Sequence, residues 1–569
     1  MGRFEDKKTN KSVWLFAVLL FCSFVFAVAQ CFYSPVSNDE AFYLTIPQRL
    51  LSGDALLVDE WHLSQLSSVL LLPIVFLYKL IVPTQQGVIL AFRFIYLFLH
   101  TVIAIFLYIK LRKYGVGAIF ASIAYFLYTP VFIPALSYNT MGLGALVVVC
   151  ALAVDYDKTK HPNSVAVVIG AGFSCAILCS PFLVLGYVLY TIAVIIIKFV
   201  NKTEEKISAK VISVKAWMLV SLGCFIVFTA FMALLFAQGT FNKLFECIPH
   251  ILNDPEHQGM VLFPFIRFVV GLLYRHKIAI VLLVGGILGL SAGIFLLVKD
   301  KNRASHRGIY LTIVSVPVIL ANIVLSVVAN NIGYIMVAIN AVGILAFVFT
   351  KEKKWQWLIV FWTIGIVYAY CMFTSSNTGL SAISQGLSVA TLGSILAIGD
   401  CLKEMKHEKA TKPFVIVLLL VLVMQPVCQI VSQEIKCFQG RQEFVVYDFG
   451  CKFGILDDKA TVEAERKYYE DIEPILQEEN KSVLYFSYKI WPYMCGENEM
   501  GSYSGWLAGV NENSYARLVE YYKINPEKIP DFIYLDAYYP WVNENYQRVA
   551  DELGYHVEQG NCGYLLRKR

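Results

Sequence analysis

Hydrophobic positions in this sequence come mostly in long uninterrupted runs, separated by short polar bursts, and only the last quarter of the chain shows the shorter alternations of a water-exposed fold. Apolar runs long enough to cross a bilayer as helices fall at roughly 13–33, 88–109, 117–134, 163–180, 182–199, 215–237, 278–298, 308–328, 332–350, 355–372, 380–399 and 413–434, with a shorter one at 141–154. From 436 onward no spanning run remains. There the stretches 482–486 and 531–535 read as buried strands, and 460–479 and 514–523 as helices. The predicted fold class is an α-helical polytopic membrane protein of about 13 transmembrane helices plus interfacial helices, carrying a small outer C-terminal α/β domain. The predicted division is 1–435 for the transmembrane domain and 436–569 for an extracytoplasmic soluble domain.

Charge supplies the orientation. With the N-terminus in the cytoplasm, the Lys/Arg bursts at 110–113, 158–160, 198–215, 299–307, 351–354 and 403–412 all fall in cytoplasmic loops, as the positive-inside rule requires. This holds only if 66–82, interrupted by Pro73 and carrying Lys79, and 261–274, with Pro264 and Arg267, lie at the outer interface without crossing. The tail from 435 is then outside, and the expected location is the plasma membrane, multi-pass. No small-x-small cleavage site precedes Cys31, so the first run is expected to be retained.

At 57% hydrophobic and 16% charged residues over 569 positions, the composition excludes an ordinary water-soluble globule. The net charge of +5 is dispersed in loop bursts, which argues against a nucleic-acid partner. Of the 14 cysteines only Cys437, Cys451, Cys495 and Cys562 lie in the polar tail, where two disulfides are open.

Candidate chemistry gathers in the first outer loop, 35–65, which sets Asp39, Glu40, Asp54, Asp59, Glu60 and His62 against the single cation Arg49. A carboxylate at the edge of an apolar slab is costly to desolvate and suits a general base, and Asp39 is the candidate. Glu40, about 100° further round a helix, would orient the site or bind a metal. Asp54, after Gly53, reads as a turn and helix start. His62 and Gln65, three apart, would share a helix face and meet a polar head group. The few outer cations, Lys79, Arg93, Lys243, Arg267, Arg275 and Lys277, suit a phosphate at the outer leaflet. His250 and His257 bracket a polar knot in the loop 238–260 whose spacing fits no zinc signature, so substrate or phosphate contact is expected of them. A divalent metal is the one cofactor left open, with its ligands unassigned.

The Asp39-Glu40 pair followed by Tyr43, the interfacial segment 65–82 followed by Arg93, and the 13-span plan with an outer tail resemble the polytopic glycosyltransferases of the C-type superfamily, in the branch of the protein O-mannosyltransferases and lipid A aminoarabinose transferases. The resemblance implies a polyprenyl-phosphate sugar donor, a glycan, lipid or protein acceptor, an inverting single displacement, and an acidic residue of the first outer loop as base, here Asp39. Members often carry a second acid in the second outer loop. This chain has Ser137-Tyr138-Asn139-Thr140 there, with Asn139 in that place. A lipid-linked glycan transporter or flippase is the alternative, and it predicts charges inside the spans, which are nearly free of them. A membrane scaffold whose tail binds partners would leave Asp39 dispensable.

Overall fold

A computed structural model describes residues 2–255 apart from 83, 158–161, 201–210 and 240, then 291, 295 and 303–569 apart from 330, 352, 376–378, 406–411 and 479. The helices that carry the account are α1 (Gly2–Tyr33), α2 (Asn38–Leu51), α3 (Ser68–Ile81), α4 (Val88–Leu111), α5 (Val116–Leu127), α6 (Tyr138–Ala153), α7 (Asn163–Cys179), α8 (Val184–Val200), α9 (Val214–Ala237) and α10 (Phe241–Leu252). They continue with α11 (Arg303–Ala329), α12 (Gly333–Phe349), α13 (Thr363–Ser375), α14 (Leu380–Met405) and α15 (Lys412–Phe438). Each apolar run expected to span coincides with a helix, except 278–298, which lies almost wholly outside the described residues, as does the expected interfacial helix 261–274.

Among the described residues, 8 helices are long and apolar enough to cross a membrane, and α5, α6, α7, α11 and α12 contain shorter apolar segments. One of these 8 is the segment Leu63–Ile81. Its interfacial placement therefore rests on the loop charges alone.

Beyond α15 the long apolar helices give way to short strands and helices. Five strands, β3 (Ser482–Phe486), β4 (Glu499–Met500), β5 (Phe532–Asp536), β6 (Tyr555–Gln559) and β7 (Gly563–Lys568), form a mixed sheet in the order β4-β3-β5-β7-β6; β1 (Phe444–Val446) and β2 (Leu456–Asp458) form a separate antiparallel pair. β3 runs parallel to β4 and β5, with Tyr485 opposite Tyr534, and β7 closes antiparallel on β5 and β6. Helices α16 (Lys459–Leu476), α17 (Glu512–Ile524) and α18 (Pro540–Leu553) cover it.

The central strands are continuous apolar runs because both of their faces are buried. Val483, Tyr485, Phe532 and Tyr534 face one core, which they share with Phe42, Tyr43, Leu71, Val88 and Phe92 of α2, α3 and α4. Leu484, Phe486, Ile533 and Leu535 face a second core, shared with Val58 and Trp61 of the first loop and Leu244 and Ile251 of α10. The sheet is thus clamped between the first loop with α10 on one side and the α2–α4 entry on the other.

Candidate active site

α2 begins at Ser37, whose hydroxyl accepts the Asp39 amide while the Glu40 carboxylate accepts the Ser37 amide, a reciprocal cap that satisfies donors at the start of the helix. The pattern Ser37-x-x-Glu40 is legible in the sequence as a capping box, and it gives Glu40 a structural duty from the outset. Both Glu40 oxygens are also held by Arg93 of α4, at 2.7 and 2.8 Å, with Glu40 1% and Arg93 0% exposed. The remaining guanidinium N–H groups donate to the carbonyls of Cys31, Ser34 and Pro35. All five donors of Arg93 are spent on the α1–α2 connection, which leaves none for a phosphate. Glu40 and Arg93 together fix the start of α2.

Asp39, one residue earlier, is half-buried and faces a different wall. Its charge acts on the hydroxyls of Tyr43 and Tyr138, which hydrogen-bond to each other, with their rings edge-on at 5.5 Å. Burial, together with the neighbouring Tyr138 and Asp39, pushes the Tyr43 phenol well above its usual value, so it stays protonated. Beside Tyr138, the Asn139 side chain is buried and accepts a 2.9 Å bond from Gln385 of α14, which in turn accepts from Tyr368 of α13. The position where the resemblance implies a second acid is therefore a neutral amide locked to α14. Gln385 carries no sequence signal for this role, since it lies 246 positions from its partner.

The other acids of the loop are consumed in a buried charge network. Arg49 binds Asp54 at 2.6 Å and Glu60 at 3.0 Å, and donates to the carbonyls of Asp59 and Ser502. Lys528 reaches Asp54, and the Tyr521 hydroxyl reaches Asp59 at 3.4 Å. Burial would raise the Asp54 carboxyl, but Arg49 and Lys528 outweigh it and hold it below its usual range; Asp59 and Glu60 are pushed up, chiefly by burial. Asp54 follows the turn at Gly53, but the helix start expected with it is absent, and the network staples the loop to the tail.

Gln65 is fully buried and saturated: its amide donates to the carbonyls of Glu60 and His62 and its oxygen accepts from the Leu57 amide. It does not reach a head group. His62 caps the turn Leu63–Ser67 through Nδ1 and packs edge-on against Phe42 at 4.7 Å, which puts it one ring from α2. His250 stacks on Trp61 at 4.6 Å, and its carbonyl accepts from Arg517. Lys79 is half-buried on α3 in the field of Glu497, and Lys243 is taken up by Asn525 and Glu527 of the tail. His257, Arg267 and Arg275 lie outside the described residues, as does Lys277. Among the described residues no group of three or more His, Cys, Asp or Glu is placed to hold a metal ion.

No family model matches the chain, and no curated protein matches it. Solved structures do. ArnT from Cupriavidus metallidurans, bound to undecaprenyl phosphate, is similar over 97% of this chain and 97% of its own, at 12% identity and a TM-score of 0.50. The Archaeoglobus fulgidus oligosaccharyltransferase in its apo form aligns with 96% of this chain and 74% of its own (12% identity, TM-score 0.46). The archaeal oligosaccharyltransferase AglB from the same organism, in complex with an inhibitory peptide and a dolichol-phosphate, aligns with 98% and 74% (12% identity, TM-score 0.43). The full-length likeness to ArnT gives this chain the fold of the polytopic C-type glycosyltransferases, the resemblance expected from its sequence.

Proposed function

We propose that this protein is an integral-membrane glycosyltransferase that moves a sugar from a polyprenyl-phosphate donor to a glycan, lipid or protein acceptor at the outer face of the plasma membrane, with residues 436–569 forming its extracytoplasmic domain. The observation that carries the reading is the division of labour at the start of α2. Glu40 is neutralised and fixed by Arg93, while Asp39 is held on a rigid helix start beside the neutral hydroxyls of Tyr43 and Tyr138. In an inverting displacement the acceptor hydroxyl attacks the anomeric carbon as its proton passes to a carboxylate, and the lipid phosphate leaves on the opposite face. Asp39 is that base, and Tyr43 and Tyr138 hold the acceptor or donor hydroxyls in line. With Arg93 engaged, the phosphate falls to Lys79 and to the cations at 267 and 275.

Mass spectrometry of lipid co-purifying in mild detergent tests this reading. A polyprenyl monophosphate, bare or carrying one sugar, is the expected finding. A lipid diphosphate bearing a whole oligosaccharide, in wild type and Asp39→Asn alike, would contradict it and favour a flippase.

A further inference from the structure

The four tail cysteines are not equivalent. Cys437 faces the Ser34 hydroxyl at 3.6 Å, and Cys562 has its amide held by Asp471 at 2.7 Å. Cys451 and Cys495, 44 positions apart, lie with their sulfurs 3.2 Å from each other. Cys451 sits in the single turn Gly450–Lys452, and Cys495 follows directly on the turn Trp491–Met494. The Cys451 amide donates to the Cys495 sulfur at 3.3 Å, and both thiols reach the Trp491 carbonyl, at 3.3 and 3.5 Å. The approach depends on Gly450, which takes φ +57°; a Cβ there would fall 2.9 Å from the Cys495 sulfur.

These two turns carry the site. The Trp491–Met494 turn packs against α2, and the Gly450 carbonyl accepts the Gly87 amide at the start of α4 at 3.1 Å. A bond between them would tie the support of Asp39 to the helix that bears Arg93.

We propose that Cys451 and Cys495 form a disulfide in the working protein. The proposal rests on the reading that 436–569 is extracytoplasmic, where disulfide-type oxidants act on secreted chains. Cys495 is partly exposed and Cys451 fully buried, which sets the order of events. The Cys495 thiolate attacks a sulfur of a protein or small-molecule disulfide and releases one thiol. The Cys451 thiolate then attacks the Cys495 sulfur of the mixed disulfide and expels the second. The cysteine pair loses two electrons, the oxidant gains them, and the two protons end on the released thiols.

The test uses the full chain, extracted from membranes with N-ethylmaleimide present from lysis and digested without reductant. A Cys451–Cys495 peptide pair is expected, lighter than the sum of its parts by two hydrogen atoms and separating after dithiothreitol. In parallel, a membrane-impermeant amine reagent applied to intact cells reports which side the tail lysines occupy. Both cysteines carrying maleimide on a tail labelled from outside would overturn the disulfide and leave the topology standing. Both carrying maleimide on a tail that the reagent cannot reach would overturn the two together.

Discussion

Asp39 and Glu40 are neighbours in sequence with opposite fates, and the difference is one of burial. Glu40 shares a dry pocket with Arg93, so Glu40→Gln leaves a guanidinium buried without its counter-charge and should cost about 3–5 kcal/mol of stability. Unfolding in detergent checks this, and a Glu40→Gln protein as stable as wild type would contradict the clamp. Asp54 makes a different prediction. Its carboxyl is held below the usual range, so its contribution is complete at neutral pH and is lost as pH falls through that lowered value. The stability gap between wild type and Asp54→Asn should be widest near neutrality and shrink below about pH 4. Asp59 and Glu60, pushed up by burial, run the other way, since their protonation favours the folded state; the comparison with Asp54→Asn separates the two trends. The acidity of the loop was legible in the sequence, but its neutralisation was not. Lys528 lies 474 positions from Asp54, and no local pattern announces the pair.

At the scale of elements, the apolar runs translated almost directly into helices, because a bilayer-length stretch without water has to satisfy its own backbone. What runs cannot reveal is which faces touch. α13 and α14 pack backbone to backbone: a Cβ on Gly386 would collide with the Ala369 amide, and one on Gly365 would meet the Ala390 amide at 2.6 Å. Gly386→Val should push these helices apart, displace Gln385 from Asn139 and sharply reduce monodisperse protein in size-exclusion chromatography. Normal yield and elution would show that the contact is dispensable. The strands at 482–486 and 531–535 were readable from their composition. That both of their faces are covered, one by α2–α4 and the other by the first loop and α10, follows from contacts far apart in sequence.

At the scale of the whole molecule, the segment 35–65 is the junction. It holds Asp39 on α2, staples itself to the tail through Arg49, Asp54 and Lys528, and contributes Trp61 to the sheet's second core. Asp39, the proposed base, thereby sits where the apolar helices meet the tail, on a fold shared along its length with ArnT. The expected fold class was recoverable from hydropathy and loop charge; the roles of Arg93 and Gln65 were not, because whether a polar side chain faces a substrate or its own backbone depends on tertiary packing. The most direct measurement is sugar transfer from a polyprenyl-phosphate donor by wild type and Asp39→Asn reconstituted in liposomes, with unfolding followed on the same samples. Loss of a general base predicts a fall in transfer of about 10²–10⁴-fold at unchanged stability. Near-normal transfer by a folded Asp39→Asn protein would contradict the account.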